Sequence, residues 1–116
     1  MTQKAVHETH AVVAEFKKAV NMSPKKLTAW LNTAESKKVG VKATDGSESV
    51  GHDSGKKIVV LLAKPQAAYS SEDLAHARKV VGYVHRHLAQ RPAGDITCTR
   101  WRYSLMNWGH DPLADR

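Results

Sequence analysis

The sequence predicts an all-α fold: a compact single-domain bundle of about five helices with a polar loop near residues 41–52. Three observations lead there. Apolar residues return at helical spacing around Phe16, Val81 and Leu105, forming the kind of stripe that a helix buries. Capping residues open most of these segments, and proline or glycine closes several of them. At 116 residues the chain supports one hydrophobic core and hardly two, so 1–116 is expected to form one helical domain with short flexible termini.

The first helix is read from Ala5 to Val20, where Val12, Val13, Phe16, Ala19 and Val20 share one flank. Ser23 can cap the second, and Pro24 suits its opening position. Leu27, Trp30 and Leu31 form its buried corner. Lys25 and Lys26 oppose the helix dipole there, so helix stability does not explain them. An optional extra turn near Ala34 ends at Gly40, and the glycine-bearing stretch that follows has no helical period. Ile58–Ala63 is too short for periodicity alone to separate helix from buried strand. Asp53 or Ser54 as a cap and Pro65 as a stop favour helix.

The longest uninterrupted pattern runs from Leu74 to Arg91 and is capped by Ser70 or Ser71. Leu74, Ala77, Val81, Val84 and Leu88 make its apolar stripe. A final helix starts at Asp95 or Thr97, with Cys98, Trp101, Leu105 and Trp108 inward and Gly109 as its left-handed stop. The long and final helices are expected to be the central packing pair, with Trp30, Trp101 and Trp108 closing the core.

Eighteen Lys and Arg against eleven Asp and Glu give a formal net charge of +7, which favours polyanionic partners. No apolar run approaches the roughly 20 residues that span a bilayer, and no signal peptide is visible, so a cytoplasmic protein without membrane contact is expected. The lone Cys98 excludes an intramolecular disulfide, in keeping with a reducing compartment.

The strings SVGHDSGKKIV, HARKVVGYVHRHLAQRP and TRWRYSLMNWGHDPL resemble a family of short bacterial proteins of unknown function, usually labelled only as DNA-binding proteins. The resemblance covers roughly Phe16 to Leu113, and the C-terminal string is its most specific part. It implies DNA binding without supplying catalytic residues or a mechanism.

Candidate contact residues fall in three groups. Ser54, Gly55, Lys56 and Lys57 stand where a helix N-terminus is expected, and free amides at such an end suit a phosphate. The spacing is not that of a nucleotide P-loop, and a capped helix start with solvated lysines would use the same residues. Lys79, Tyr83 and Arg86 lie opposite the apolar stripe of the long helix; Arg100, Tyr103 and Asn107 lie opposite the tryptophans of the last one. Arginine reaches phosphate, Asn or Arg reads base edges, and tyrosine bonds phosphate or stacks on an unpaired base. Arg102 lies nearer the core side, suited to pairing with Asp95 or Asp111.

The expected partner is therefore nucleic acid, duplex DNA first, met mainly through phosphates by an accessory or architectural factor. A protein-interaction module on the same faces, including a homodimer, is the runner-up. An anion-binding protein or enzyme centred on Ser54 comes third. No cofactor or metal is expected: His85 and His87 point about 200° apart, and His76 and His87 lie three turns apart. Convergence of either with His52 or His110 stays open. His85 reads as a boundary histidine, and His110-Asp111 as a tail-tying pair before an acid/base one. No catalytic residue is assigned, since Ser54 shows no general base and Cys98 falls on an apolar stripe.

Overall fold

The computed structural model describes residues 3–39 and 50–114. It contains α1 (Gln3–Ala19), α2 (Pro24–Leu31), α3 (Ala34–Lys38), α4 (Val50–Ala63), α5 (Ser71–Leu88) and α6 (Arg100–Asn107), with a 3-10 turn at Gln66–Ala68. No strand occurs among the described residues, so Ile58–Ala63 is helical and the all-α expectation holds.

Local signals set most helix starts. Ser23 accepts from the Lys26 amide with Pro24 in the first turn, and Thr33 caps α3 in the same way. Ser70 and Asp73 form a reciprocal capping box at α5, which satisfies two otherwise free amides. Gly109 stops α6 at φ +82°, and a Cβ there would meet Val20 at 2.9 Å. Both backbone conformation and space therefore require glycine.

The core is built from Phe16, Leu27, Ile58, Val80, Val84 and Leu105, all fully buried. α1 packs chiefly on α5 and α2 chiefly on α4, while the short α6 touches α2, α3, α4 and α5. The expected central pair of long and final helices is thus corrected. α5 finds its main partner in α1, a helix of nearly equal length, and α6 spreads its eight residues over four neighbours. The deepest positions of α5 are Ala77, Val80 and Val84, with Leu74, Val81 and Leu88 only partly covered.

The chain's C-terminal segment is stitched to the α1–α2 corner. His110 Nδ1 bonds the Ala19 carbonyl at 2.7 Å, and Met22 N donates to the Gly109 carbonyl. Asn21 and the Asp111 backbone bond reciprocally. Arg102 holds the Asp111 carboxylate through two nitrogens at 3.1 Å and reaches the Thr97 carbonyl, which makes Asp111 its partner. His110-Asp111 is accordingly a tail tie, each residue bonded elsewhere.

Several boundaries and burials differ from expectation. Residues 40–49, which hold most of the expected polar loop and the Gly40 stop, lie outside the described residues; 50–52 are helical. α4 therefore starts upstream of Asp53 and Ser54, which are interior to it and cannot cap it. α5 ends at Leu88 and not at Arg91. α6 starts after Thr99, because Asp95 satisfies the Thr97 amide and hydroxyl in a local turn that needs no helix. Cys98 consequently precedes α6 and is exposed, not buried. Asn107, expected outward, is fully buried, and His85, expected at the boundary, is exposed. Trp108 is in the core, whereas Trp30 and Trp101 are partly buried against it.

Candidate functional site

A hairpin of helices makes one open groove. After α4 the chain turns at Pro65, where the Tyr69 hydroxyl donates to the Leu61 carbonyl at 2.6 Å and Lys64 pairs with Asp73 at 2.7 Å. These bonds return the first half of α5 along α4. The Lys64 bond, then the Ser70 amide, hold the Asp73 carboxyl below the usual carboxylate range. Between the helices lies an open groove of about 520 Å³.

The groove has unlike ends. Lys57 from α4 and Lys79 from α5 line one end with His76; Glu72 and Asp73 line the other, and Leu61, Val60 and Ala75 supply apolar surface between. Val60 is 56% exposed, unusual for a large aliphatic side chain on this protein. Lys57 also contacts Asp53 one turn earlier at 3.2 Å, but both groups are more than half exposed. A pair of that kind contributes little stability and leaves the lysine available to a stronger anion.

His76 forms the back of the cationic end. It contacts the buried Ser54 hydroxyl at 3.0 Å, and its ring lies nearly parallel to Trp108. Burial, then the charges of Lys57 and Lys79, hold its pKa below the ordinary histidine value. At neutral pH it is a neutral hydrogen-bonding group between two cations. An arriving phosphate would offset the lysine charges and favour its protonation.

The expected site residues separate when placed in the fold. Lys57 and Lys79 come together. Lys56, only about 100° round the helix from Lys57, faces a second groove with Lys37 and His52, between α4 and α2. Arg86 and Arg100 are exposed and line neither groove. Ser54 is 2% exposed and Gly55 is buried, so the proposed phosphate cradle at a free helix end is corrected: both lie inside α4. A Cβ on Gly55 would stand 2.6 Å from the Asn107 carbonyl oxygen, which identifies its work as close helix packing.

The expected base readers are also committed internally. Asn107 accepts from Trp30 Nε1 and Ser36 Oγ and donates to the Ser36 carbonyl, joining α2, α3 and α6. Tyr83 is stacked on Trp108 at 4.2 Å, and burial pushes its hydroxyl pKa up. Tyr103 packs beside Trp30, and the neighbouring Cys98 thiol, then burial, raises its pKa. The sequence reading missed His76 as a contact residue. The signal was present: extending the stripe Lys79, Tyr83, Arg86 back by three residues reaches it.

Among the described residues, no group of three or more His, Cys, Asp and Glu side chains could hold a metal ion. Ser54 and His76 form a hydroxyl–imidazole contact, but the hydroxyl is closed to solvent, so substrate has no access to it in this conformation.

Residues 15–106 match the model of a family described as "Protein of unknown function (DUF3140)". The match takes in α2 to α5 whole, most of α6 and therefore both walls of the groove. No curated protein and no solved structure matches the chain.

Proposed function

On the premise that the chain belongs to the DUF3140 family, we propose that it binds nucleic acid, duplex DNA first, mainly through phosphate contacts. The observation that carries this reading is the convergence of Lys57 and Lys79, from two helices, around His76 in one open groove. A net charge of +7 supplies long-range attraction to a polyanion. Arg86 stands two turns beyond Lys79 on the same side of α5, about 10 Å along the axis, and extends the cationic track. Because Asn107 and Tyr83 are occupied within the fold, few side chains remain to read base edges. Binding is then weakly sequence-dependent, as for an accessory or architectural factor. A cytoplasmic location fits this role, and no helix among the described residues is long and apolar enough to cross a membrane.

The test is the affinity of the intact protein for unrelated duplexes across a salt series. Neutralisation of about four phosphates, by Lys57, Lys79, Arg86 and Arg100, gives a slope of log K against log salt near roughly −3 to −4. No binding to duplex or single strand at low salt would reject the reading. One observation favours a second reading: the exposed Val60 beside Leu61 and Ala75 gives the same groove an apolar strip suited to a partner helix, including one from a second copy. That reading expects a salt-insensitive protein complex in place of DNA binding.

A further inference from the structure

The flank of α5 that faces α6 carries a column of near-parallel rings. His76 and Trp108 have centroids 6.3 Å apart at 18°, Trp108 and Tyr83 4.2 Å at 14°, Tyr83 and His87 5.1 Å at 15°, and His87 and Trp101 5.9 Å at 12°. Aromatic pairs in proteins adopt edge-to-face as well as offset-stacked geometry, so four successive stacked contacts are a distinct arrangement. The column starts in the cationic groove at His76 and ends at Trp101, where the guanidinium carbon of Arg91 stands 5.7 Å from the ring centroid.

The end of this column is rigid, and its cover is the side chain of an exposed residue, Arg91. Trp101 Nε1 donates to the His87 carbonyl at 2.7 Å, while His87 Nε2 contacts the Trp101 carbonyl at 3.2 Å, so each residue's backbone carbonyl orients the other's ring. Burial lowers the His87 pKa, keeping it neutral within the stack at neutral pH. Trp101 itself is only partly buried. Arg91 belongs to the connection between α5 and α6, in which Arg91 to Asp95 are all exposed.

We propose that an unpaired base of a single-stranded nucleic acid stacks on Trp101, swings the exposed Arg91 side chain outward to lie on its far face, and so extends the column by one member. The proposal rests on the nucleic-acid reading above and adds the form of nucleic acid the flank prefers. Indole on one side and guanidinium on the other give a base a stacking and a cation–π face, and neither discriminates strongly among bases. The phosphates also have partners. His76 and His87 are eleven residues apart, about 16 Å along α5, and Lys79 and Arg86 project from the adjacent stripe over that span. A strand following the helix meets both cations before its base reaches Trp101. Arg100, exposed beside Trp101, is a third.

The experiment compares an oligothymidine with a strand of equal length and charge that carries abasic sites, using the intact chain and following tryptophan emission. The wild type should bind the base-bearing strand on the order of tenfold more tightly, the effect of about one stacked base, with quenched emission. Arg91→Gln, an exposed change that leaves the fold alone, should narrow the difference. Trp101→Leu should remove it while affinity for the abasic strand persists. Equal wild-type affinity for the two strands, with salt-dependent duplex binding intact, overturns this inference and leaves the phosphate reading standing. Failure of both strands and of duplex to bind overturns both.

Discussion

The α4–α5 groove and the seam where α6 meets α2, α3 and α4 draw on similar polar residues for opposite purposes. In the seam, Asn107, Ser36 and Trp30 satisfy one another, and Gly55 lets two helices touch. In the groove, Lys57 and Lys79 keep their charges toward water around a histidine held neutral. Reach explains the contrast. A short amide on a helix in close contact with two others finds donors and an acceptor inside, whereas a lysine stem lies along apolar surface and carries its ammonium out. The seam is accordingly expected to govern stability, and the groove binding.

The largest effect expected of that division is at Asn107. Asn107→Ala removes the partner of the Trp30 indole N–H and of the Ser36 hydroxyl and carbonyl, and a buried group left unpaired costs about 1–3 kcal/mol. Urea unfolding should show a loss of several kcal/mol; an unchanged midpoint would break the contrast. Gly55→Ala comes next. Crowding the Asn107 carbonyl should cost about 1–3 kcal/mol, offset by about 1 kcal/mol of helix propensity, for a net loss near ~1 kcal/mol. A stabilised variant would show that α4 and α6 separate more easily than this packing implies.

Acid should weaken the fold more gently. His76 and His87 have pKa values lowered chiefly by burial, His76 further by Lys57 and Lys79. The unfolded chain therefore binds more protons than the native one just below pH 6.5, the ordinary histidine value. Stability contributed by the neutral rings is complete above that pH and falls as pH drops toward the lowered native values. Thermal midpoints of wild type and His87→Gln across pH 5 to 7.5 measure it, and the variant should show the shallower dependence. Smallest of all is the effect of modifying Cys98. A thiol reagent should label it as fast in the folded protein as in denaturant, with little change in stability, because the side chain is exposed. Protection in the native state would return it to the interior.

Legibility in the sequence followed the range of the interactions. Ser23, Ser70 and Gly109 could be assigned because each acts on backbone within a few residues of itself. The start of α6 misled because Asp95 and Thr97 close a turn among themselves, and only the tertiary setting selects Thr99. Asn107 and Ser54 read as surface groups because their partners, Ser36 and His76, stand 71 and 22 residues away. Val80 escaped the apolar stripe because which flank of α5 lies deepest is fixed by where α1 settles. The cations of the groove were visible as charge. Their convergence was not, since it depends on the turn at Pro65 folding α5 back on α4.

The most direct measurement of the division between groove and seam is the double variant Lys57→Gln, Lys79→Gln, with thermal midpoint and salt-dependent duplex affinity taken on the same sample. Exposed lysines away from buried networks change stability by only about 0.5 kcal/mol, so the midpoint should stay within a few degrees of wild type. The slope of log K against log salt should become shallower by up to about 2, roughly one for each phosphate that is no longer neutralised. A double variant as stable as wild type that retains the full slope and affinity would contradict the assignment of the α4–α5 groove as the phosphate-binding surface.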